Sequence, residues 1–341
     1  MQLTKEEVLH LYYEMRKIRR FEETVKKKSG TDIVGPTHLY IGQEAIAVGV
    51  CHHLTKQDYV TSTHRGHGHT LAKGARIDRS LAELYGRSTG YCKGKGGSMH
   101  LADFSVGMLG ANGVVGGGFN IATGAALAIQ QRGGKEVAVC FFGDGSSNRG
   151  TFHEAVNLAA SWKLPVVFVC ENNGWASTTR FSESSSIPQL SERAKAYGIV
   201  GVTIDGNDVE LVQKTAKDLI ERARRGEGPT LIEAYTYRLG AHTTSDDPTK
   251  YREEAEVELW RPKDPILRFK TYLMEKGVLT EEWDTKTHEE LEKEVMSTFE
   301  SLEGNSDTEI EDIFKYTYDK MTPQLEEQLE EYKSFLKEVQ K

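Results

Sequence analysis

The feature that most constrains this 341-residue chain is a strand, turn, helix, strand, turn series in its central third, with reactive residues at both turns. Val137–Phe142 (VAVCFF) is an apolar run of strand length, followed at once by Gly143-Asp144-Gly145. Gly150–Lys163 has helical spacing through Phe152, Ala155, Val156, Ala159 and Trp162. Leu164–Cys170 (LPVVFVC) is a second apolar strand and runs into Glu171-Asn172-Asn173. Strands apolar on both faces with a helix between them belong to a parallel sheet. A right-handed crossover makes the two strands neighbours that point the same way. Val200–Ile204, a helix around Leu211–Arg225 and Leu231–Tyr237 continue the series, so the fold class is α/β, a parallel sheet flanked by helices.

The flanks read differently. Thr4 and Glu7 form a capping-box pattern, and Val8, Leu11, Met15, Ile18, Phe21 and Val25 recur at helical spacing, which predicts one long N-terminal helix. A second helix is expected over Gln43–Leu54. Ten of the 33 glycines fall in residues 90–118, a density that neither strand nor helix tolerates. Met99, His100, Phe104, Met108, Leu109 and Val115 in the same stretch argue against a linker and for backbone that approaches something closely. A tight helix of small residues is expected over Asn120–Gln131. From Asp264 the pattern is helical and acidic. The expected organisation is an N-terminal helical segment (1–60), an α/β domain (61–260) and a C-terminal helical tail (261–341).

Composition narrows the functions. Acidic residues outnumber basic ones, 51 to 43, which disfavours nucleic acid and anionic lipid as partners. No apolar run reaches the ~18 residues of a membrane helix, and the charged amphipathic N-terminus is not a signal peptide. Cys51, Cys92, Cys140 and Cys170 form no CxxC pair, as expected of reduced thiols in a cytoplasmic protein.

Asp144 and Asn173, each just past its strand, converge at the carboxyl edge of the sheet, where open α/β folds bind ligands. Together they offer hard oxygen donors suited to magnesium, which completes its shell with phosphate and water. Gly143 and Gly145 let backbone approach phosphate, and a helix starting near Ser147 directs amides at it. The pattern therefore reads as a metal-bridged diphosphate site. A dinucleotide fingerprint is the rival, but Asn148 stands where its third glycine belongs, and Asp144 would repel phosphate unless a cation intervened. His64, His67 and His69 lack the cysteine or acidic support of a metal cluster.

GDGSSNRG and ENN, with 26 residues between GDG and the Asn pair, resemble the thiamine-diphosphate motif. HLYIGQEA (His38–Ala45), STHRGHGH (Ser62–His69), KGKGGSMH (Lys93–His100), GANGVVGGGF (Gly110–Phe119) and RLGAHTTSDDPTKYR (Arg238–Arg252) extend the likeness over about residues 5–340. The chain is similar to the alpha subunit of the two-chain dehydrogenase component of 2-oxo acid and acetoin dehydrogenase complexes. This resemblance implies a thiamine-diphosphate-binding fold and an oxidoreductase. It implies that Asp144, Asn173 and the Trp175 carbonyl hold magnesium, a position where family members usually have Tyr. It implies that Arg65 contacts the diphosphate, that Gly113 and Val115 pack on the cofactor, and that Gly143, Gly145 and Ser146 complete the phosphate cradle. His38 is a cofactor-side residue by the same resemblance, and His242 is the histidine of a loop over the cofactor. His64 and His242 are the catalytic candidates, because imidazole moves protons near neutral pH. Between Gly240 and Lys250 no large aliphatic residue anchors the loop, as expected of a segment ordered by ligand.

The cofactor carries the bond-breaking chemistry, as an electron sink for carbon–carbon cleavage. The activating glutamate comes, in this family, from a beta subunit, so the resemblance implies a two-alpha, two-beta heterotetramer and an isolated chain without activity. HRGHGH and GANGVVGGGF are similar to acetoin-type members, whose two-carbon unit passes to a lipoyl-bearing acyltransferase. AHTTSDDPTKYR is nearer the branched-chain 2-oxo acid members. The substrate order is acetoin, then pyruvate and branched-chain 2-oxo acids. A nicotinamide-dependent oxidoreductase and a non-catalytic scaffold are the readings from other classes.

Overall fold

A computed structural model describes residues 3–33, 35–302 and 309–339. It opens on α1 (Lys5–Lys28), where the capping box is formed: Glu7 N–H donates to Thr4 Oγ1 at 3.2 Å and Thr4 N–H to Glu7 Oε2 at 2.7 Å. Lys26, Lys27 and Lys28 in the last turn complement the helix dipole. Then come α2 (Glu44–Cys51), β1 (Tyr59–Thr61), α3 (His67–Ala72), α4 (Ile77–Leu84) and β2 (Met108–Gly110). The unit read from sequence follows as α5 (Gly118–Arg132), β3 (Ala138–Gly143), α6 (Gly150–Trp162) and β4 (Val166–Asn172). A small hairpin, β5 (Trp175–Ala176) with β6 (Thr179–Arg180), leads to α7 (Phe181–Ser184), β7 (Val200–Asp205), α8 (Val209–Arg224) and β8 (Thr230–Tyr235). The remainder is helical: α9 (Glu254–Trp260), α10 (Pro265–Glu275), α11 (Glu281–Leu302), α12 (Asp312–Lys315) and α13 (Pro323–Val339).

The sheet has six parallel strands in the order β2-β1-β3-β4-β8-β7. Its centre is β3 against β4, in a register that pairs Phe142 with Cys170 and Gly143 with Glu171. The two strands end level, so the turns after them leave the sheet side by side. Alternate residues of β3 and β4 enter different cores. Val139, Phe141, Val167 and Val169 pack against α1, α2, α8, α10 and α11, and Cys140, Phe142, Phe168 and Cys170 pack against α5 and α6. All four cysteines are free.

Two expectations change here. β1 and β2 were not legible, since each has only three residues. β7 is an edge strand with Val200, Gly201 and Asp205 exposed, so it is not buried on both faces as the sequence series implied. No helix among the described residues is long and apolar enough to cross a membrane. From Gly118 to Gln131, α5 carries no charged residue, yet Asn120, Ile121 and Gly124 are exposed on it.

Candidate active site

At the carboxyl edge of β3 and β4 lies a cavity of about 340 Å³. Asp144 opens the turn after β3, is 1% exposed, and has one carboxylate oxygen, Oδ2, buried without a partner. Loss of solvent raises its pKa to about 7, against the pull of backbone amides and of Arg238. A buried carboxylate oxygen without a donor is suited to a cationic partner. Asn173 leaves β4 beside it. Its Nδ2 donates to Gln43 Oε1 at 3.0 Å, and its Oδ1 accepts the Trp175 N–H at 3.1 Å. Trp175 lines the same cavity from β5, with Nε1 donating to Glu256 at 2.9 Å and the Arg180 guanidinium 4.3 Å from its ring.

Gly143, Gly145 and Ser146 line the cavity floor. A Cβ on Gly145 would collide with Ala176 of the hairpin, whereas Gly143 has open space around it. The close approach that requires glycine at 145 is therefore to the protein itself. The sequence reading placed a helix start near Ser147, and this is corrected: residues Asp144–Asn148 form a 3-10 turn and α6 begins at Gly150. Arg193 holds that turn, donating to Ser147 O at 2.6 Å and Asn148 Oδ1 at 3.0 Å.

On the opposite wall Arg65 is 4% exposed and donates only to carbonyls, Leu39 O at 2.6 Å and His242 O at 3.1 Å. Arg238, 2% exposed, has its Nε buried without a partner. Burial works against the charge on both guanidiniums, and Arg238 adds repulsion on Arg65. Two buried arginines without a carboxylate partner fit an anion with several oxygens.

His38, His64 and His242 converge, with ring centroids 4.6, 5.1 and 5.5 Å apart. Their ligating atoms lie within 4.8 Å of one another. Desolvation first, then the charge of Arg65, lowers their pKa values to about 3, 2 and 4. They are neutral imidazoles at pH 7. The His242 loop is tied down without apolar anchors: His242 N–H donates to Asp246 at 2.9 Å, Thr244 N–H to Thr37 O at 3.0 Å, and Arg252 to Gly240 O at 3.0 Å. His67 and His69 stand elsewhere, His67 against Glu22 and Ser98, His69 between Ser62 and Glu171.

Gly113, Val115 and Met99 form the cavity's glycine-rich wall. Glu83, a fully buried carboxylate of α4, holds the loop just before Met99, residues 92–97. It accepts backbone N–H groups from Cys92 at 2.7 Å, Gly94 at 2.9 Å, Gly96 at 2.7 Å and Gly97 at 3.1 Å.

All twelve residues singled out from sequence thus line one cavity: His38, His64, Arg65, Gly113, Val115, Gly143, Asp144, Gly145, Ser146, Asn173, Trp175 and His242. Three further residues were missed. Arg238 stood in a quoted motif without a role, and a second arginine near Arg65 is visible only in the fold. Gln43 looked like a helix start. Glu171 was read as part of the strand turn, yet its carboxylate reaches the cavity lining and accepts from Tyr40 and His69.

The carboxyl edge of this parallel sheet thus joins an unpartnered carboxylate oxygen to two buried guanidiniums in one cavity, a donor set that suits a subunit binding an anionic ligand. Residues 13–311 match the dehydrogenase E1 component family, and the chain belongs to it. This family is in general thiamine-diphosphate-dependent. Among its relatives is the alpha subunit of acetoin:2,6-dichlorophenolindophenol oxidoreductase of Bacillus subtilis (strain 168), 49% identical over 88% of this chain and 89% of the relative. The protein of the same name from Cupriavidus necator is 47% identical over 83% and 86%. The pyruvate dehydrogenase E1 component subunit alpha of Porphyra purpurea is 37% identical over 93% and 94%. An E1 alpha subunit works with a beta subunit and further components of a complex.

Proposed function

We propose that this chain is the alpha subunit of a thiamine-diphosphate- and magnesium-dependent dehydrogenase component that cleaves acetoin. The carrying observation is the unpartnered Asp144 carboxylate beside Asn173, facing a cavity that also holds Arg65 and Arg238. Asp144, Asn173 and the Trp175 carbonyl would hold magnesium, and Arg65, Arg238 and Ser146 would take the diphosphate. Gly113 and Val115 would lie along the cofactor, with His38 beside it. When bound, the cofactor supplies a carbanion nucleophile and an electron sink. The chain's own part is to orient, exclude water and move protons. A neutral His64 or His242 can accept the proton of acetoin's hydroxyl as the bond between its two oxygen-bearing carbons breaks. Identities of 49% and 47% to two proteins named for acetoin, against 37% to 42% to those named for pyruvate dehydrogenase, support acetoin ahead of pyruvate.

The partners are a beta subunit, in a two-alpha, two-beta heterotetramer, and a lipoyl-bearing acyltransferase that takes the two-carbon unit. Support comes from the cavity mouth, where Val114 is 65%, Val115 45% and Ile121 48% exposed, continuous with the uncharged face of α5. Exposed apolar surface of this kind marks a protein contact. The test is co-purification with the beta chain and kcat/KM for acetoin, pyruvate and a branched-chain 2-oxo acid. Acetoin is expected to lead, and the alpha chain alone to be inactive. A strong preference for a branched 2-oxo acid overturns the substrate, and turnover by alpha alone overturns the partnership.

A further inference from the structure

Asn173 presents a problem that Asp144 does not. One end of its amide is an oxygen that can ligate a cation, and the other is an NH2 group that repels one. A carboxylate serves in either orientation, whereas an amide serves in only one. Something must therefore fix which end is available.

The hydrogen bonds identify it. Trp175 N–H can only donate, so the Asn173 atom that it meets at 3.1 Å has to be Oδ1. The Nδ2 end then faces Gln43, whose Oε1 accepts it at 3.0 Å. Gln43 is 1% exposed and lines the cavity with Asp144 and Asn173. Its backbone is anchored independently of its side chain: its N–H donates to Tyr40 O at 3.1 Å and its carbonyl accepts Ile46 N–H at 3.0 Å, at the start of α2. The side chain is thus aimed from a fixed point across the cavity at a residue 130 positions away in sequence.

We infer that Gln43 is a positioning residue for the metal site: its side-chain oxygen, acting on one end of the Asn173 amide as the Trp175 N–H acts on the other, holds it in the one orientation that turns the oxygen end toward a cation. This rests on the magnesium reading above. Gln43 itself donates no ligand. Replacing it with an apolar residue of the same length leaves Nδ2 buried without an acceptor, so that the Trp175 N–H alone opposes turning the amide over. Groups that orient a metal ligand in this way typically carry roughly 10- to 100-fold in metal affinity.

The experiment uses the alpha chain co-purified with its beta subunit, at saturating thiamine diphosphate. Mn²⁺ is titrated by its free-ion paramagnetic resonance signal, and Mg²⁺ by competition, so no turnover is read. Gln43→Met is expected to weaken both ions about tenfold or more. Gln43→Glu keeps an acceptor for Nδ2 and is expected to stay within about threefold of the parent. The deciding measurement is the same Gln43→Met change in an Asn173→Asp background. An aspartate has no wrong end, so the substitution should there cost nothing further. No loss with Gln43→Met, equal losses with Met and Glu, or the same loss in both backgrounds overturns the orienting role. If the parent complex binds thiamine diphosphate with no dependence on a divalent ion, the metal reading itself fails, and that is seen before any variant is made.

Discussion

Two buried aspartates stand at opposite ends of neighbouring strands and have opposite fates. Asp58, just before β1, accepts from Arg224 at 2.8 and 2.6 Å, from Thr55 N–H and Oγ1 at 2.7 and 2.9 Å, and from Val137 N–H at 2.9 Å. Desolvation alone would raise its pKa, but these donors outweigh it and hold the group below the ordinary carboxylate value. Asp144, just after β3, is as deeply buried and is left with an unpartnered oxygen and a pKa pushed up to about 7. The same residue type is structural where the fold completes its bonding, and is the proposed metal ligand where the fold supplies one oxygen with no donor.

That contrast breaks most visibly at Asp58. Asp58→Ala should cost about 3 kcal/mol of unfolding free energy, because it leaves the Val137 and Thr55 N–H groups without their acceptor and takes a partner from half-buried Arg224, and should leave cofactor affinity unchanged. Denaturant melts with cofactor titration check both halves. Asp144→Ala should do the reverse, losing on the order of a hundredfold in magnesium-dependent thiamine diphosphate affinity. Its apoprotein melting temperature should be unchanged or higher, since an uncompensated buried carboxylate has been removed. A large drop in stability would erase the distinction. Arg238→Gln should weaken diphosphate binding by about tenfold or more, measured by calorimetry, through loss of a charge-assisted donor.

The smallest effect is in pH. His38 and His242, lowered to about 3 and 4, bind fewer protons folded than unfolded. The contribution of these histidines to apoprotein stability should then fall as pH drops from about 6.5 toward 4, where unfolded histidine gains its proton and the folded rings do not, while the raised carboxyl of Asp144 works the other way over the same window. Asp58 acts in a lower window: its contribution is full above the unfolded carboxylate pKa and is lost as pH falls through the depressed folded value. A double variant, His38→Gln with His242→Gln, should make the upper window shallower, His64, His52 and His53 carrying the remainder, and leave the lower one unchanged. Thermal melts across pH separate the two.

The sequence carried the β3-α6-β4 core because its strands are apolar on both faces and its helix is periodic. Asp144 and Asn173 were legible because strand ends fix where turns go. β1 and β2 were not, since three residues hold no period, and their pairing is decided by the strands beside them. Arg238 and Gln43 were passed over for a similar reason. Their importance lies in what they face across the cavity, Arg65 and Asn173, and neither partner is near in sequence. The Trp175 hairpin was likewise invisible, although the glycine at 145 that it requires was in plain view.

Glu83 has a consequence for how this family diversifies. The glycine-rich loop that leads to Met99 is gripped from below through its main-chain amides, so its contour owes little to the groups projecting from it. Positions such as Met99 can then change size or polarity between descendants without the scaffold beneath them shifting. Selection can retailor the entrance for a bulkier or more acidic guest while the catalytic floor stays still.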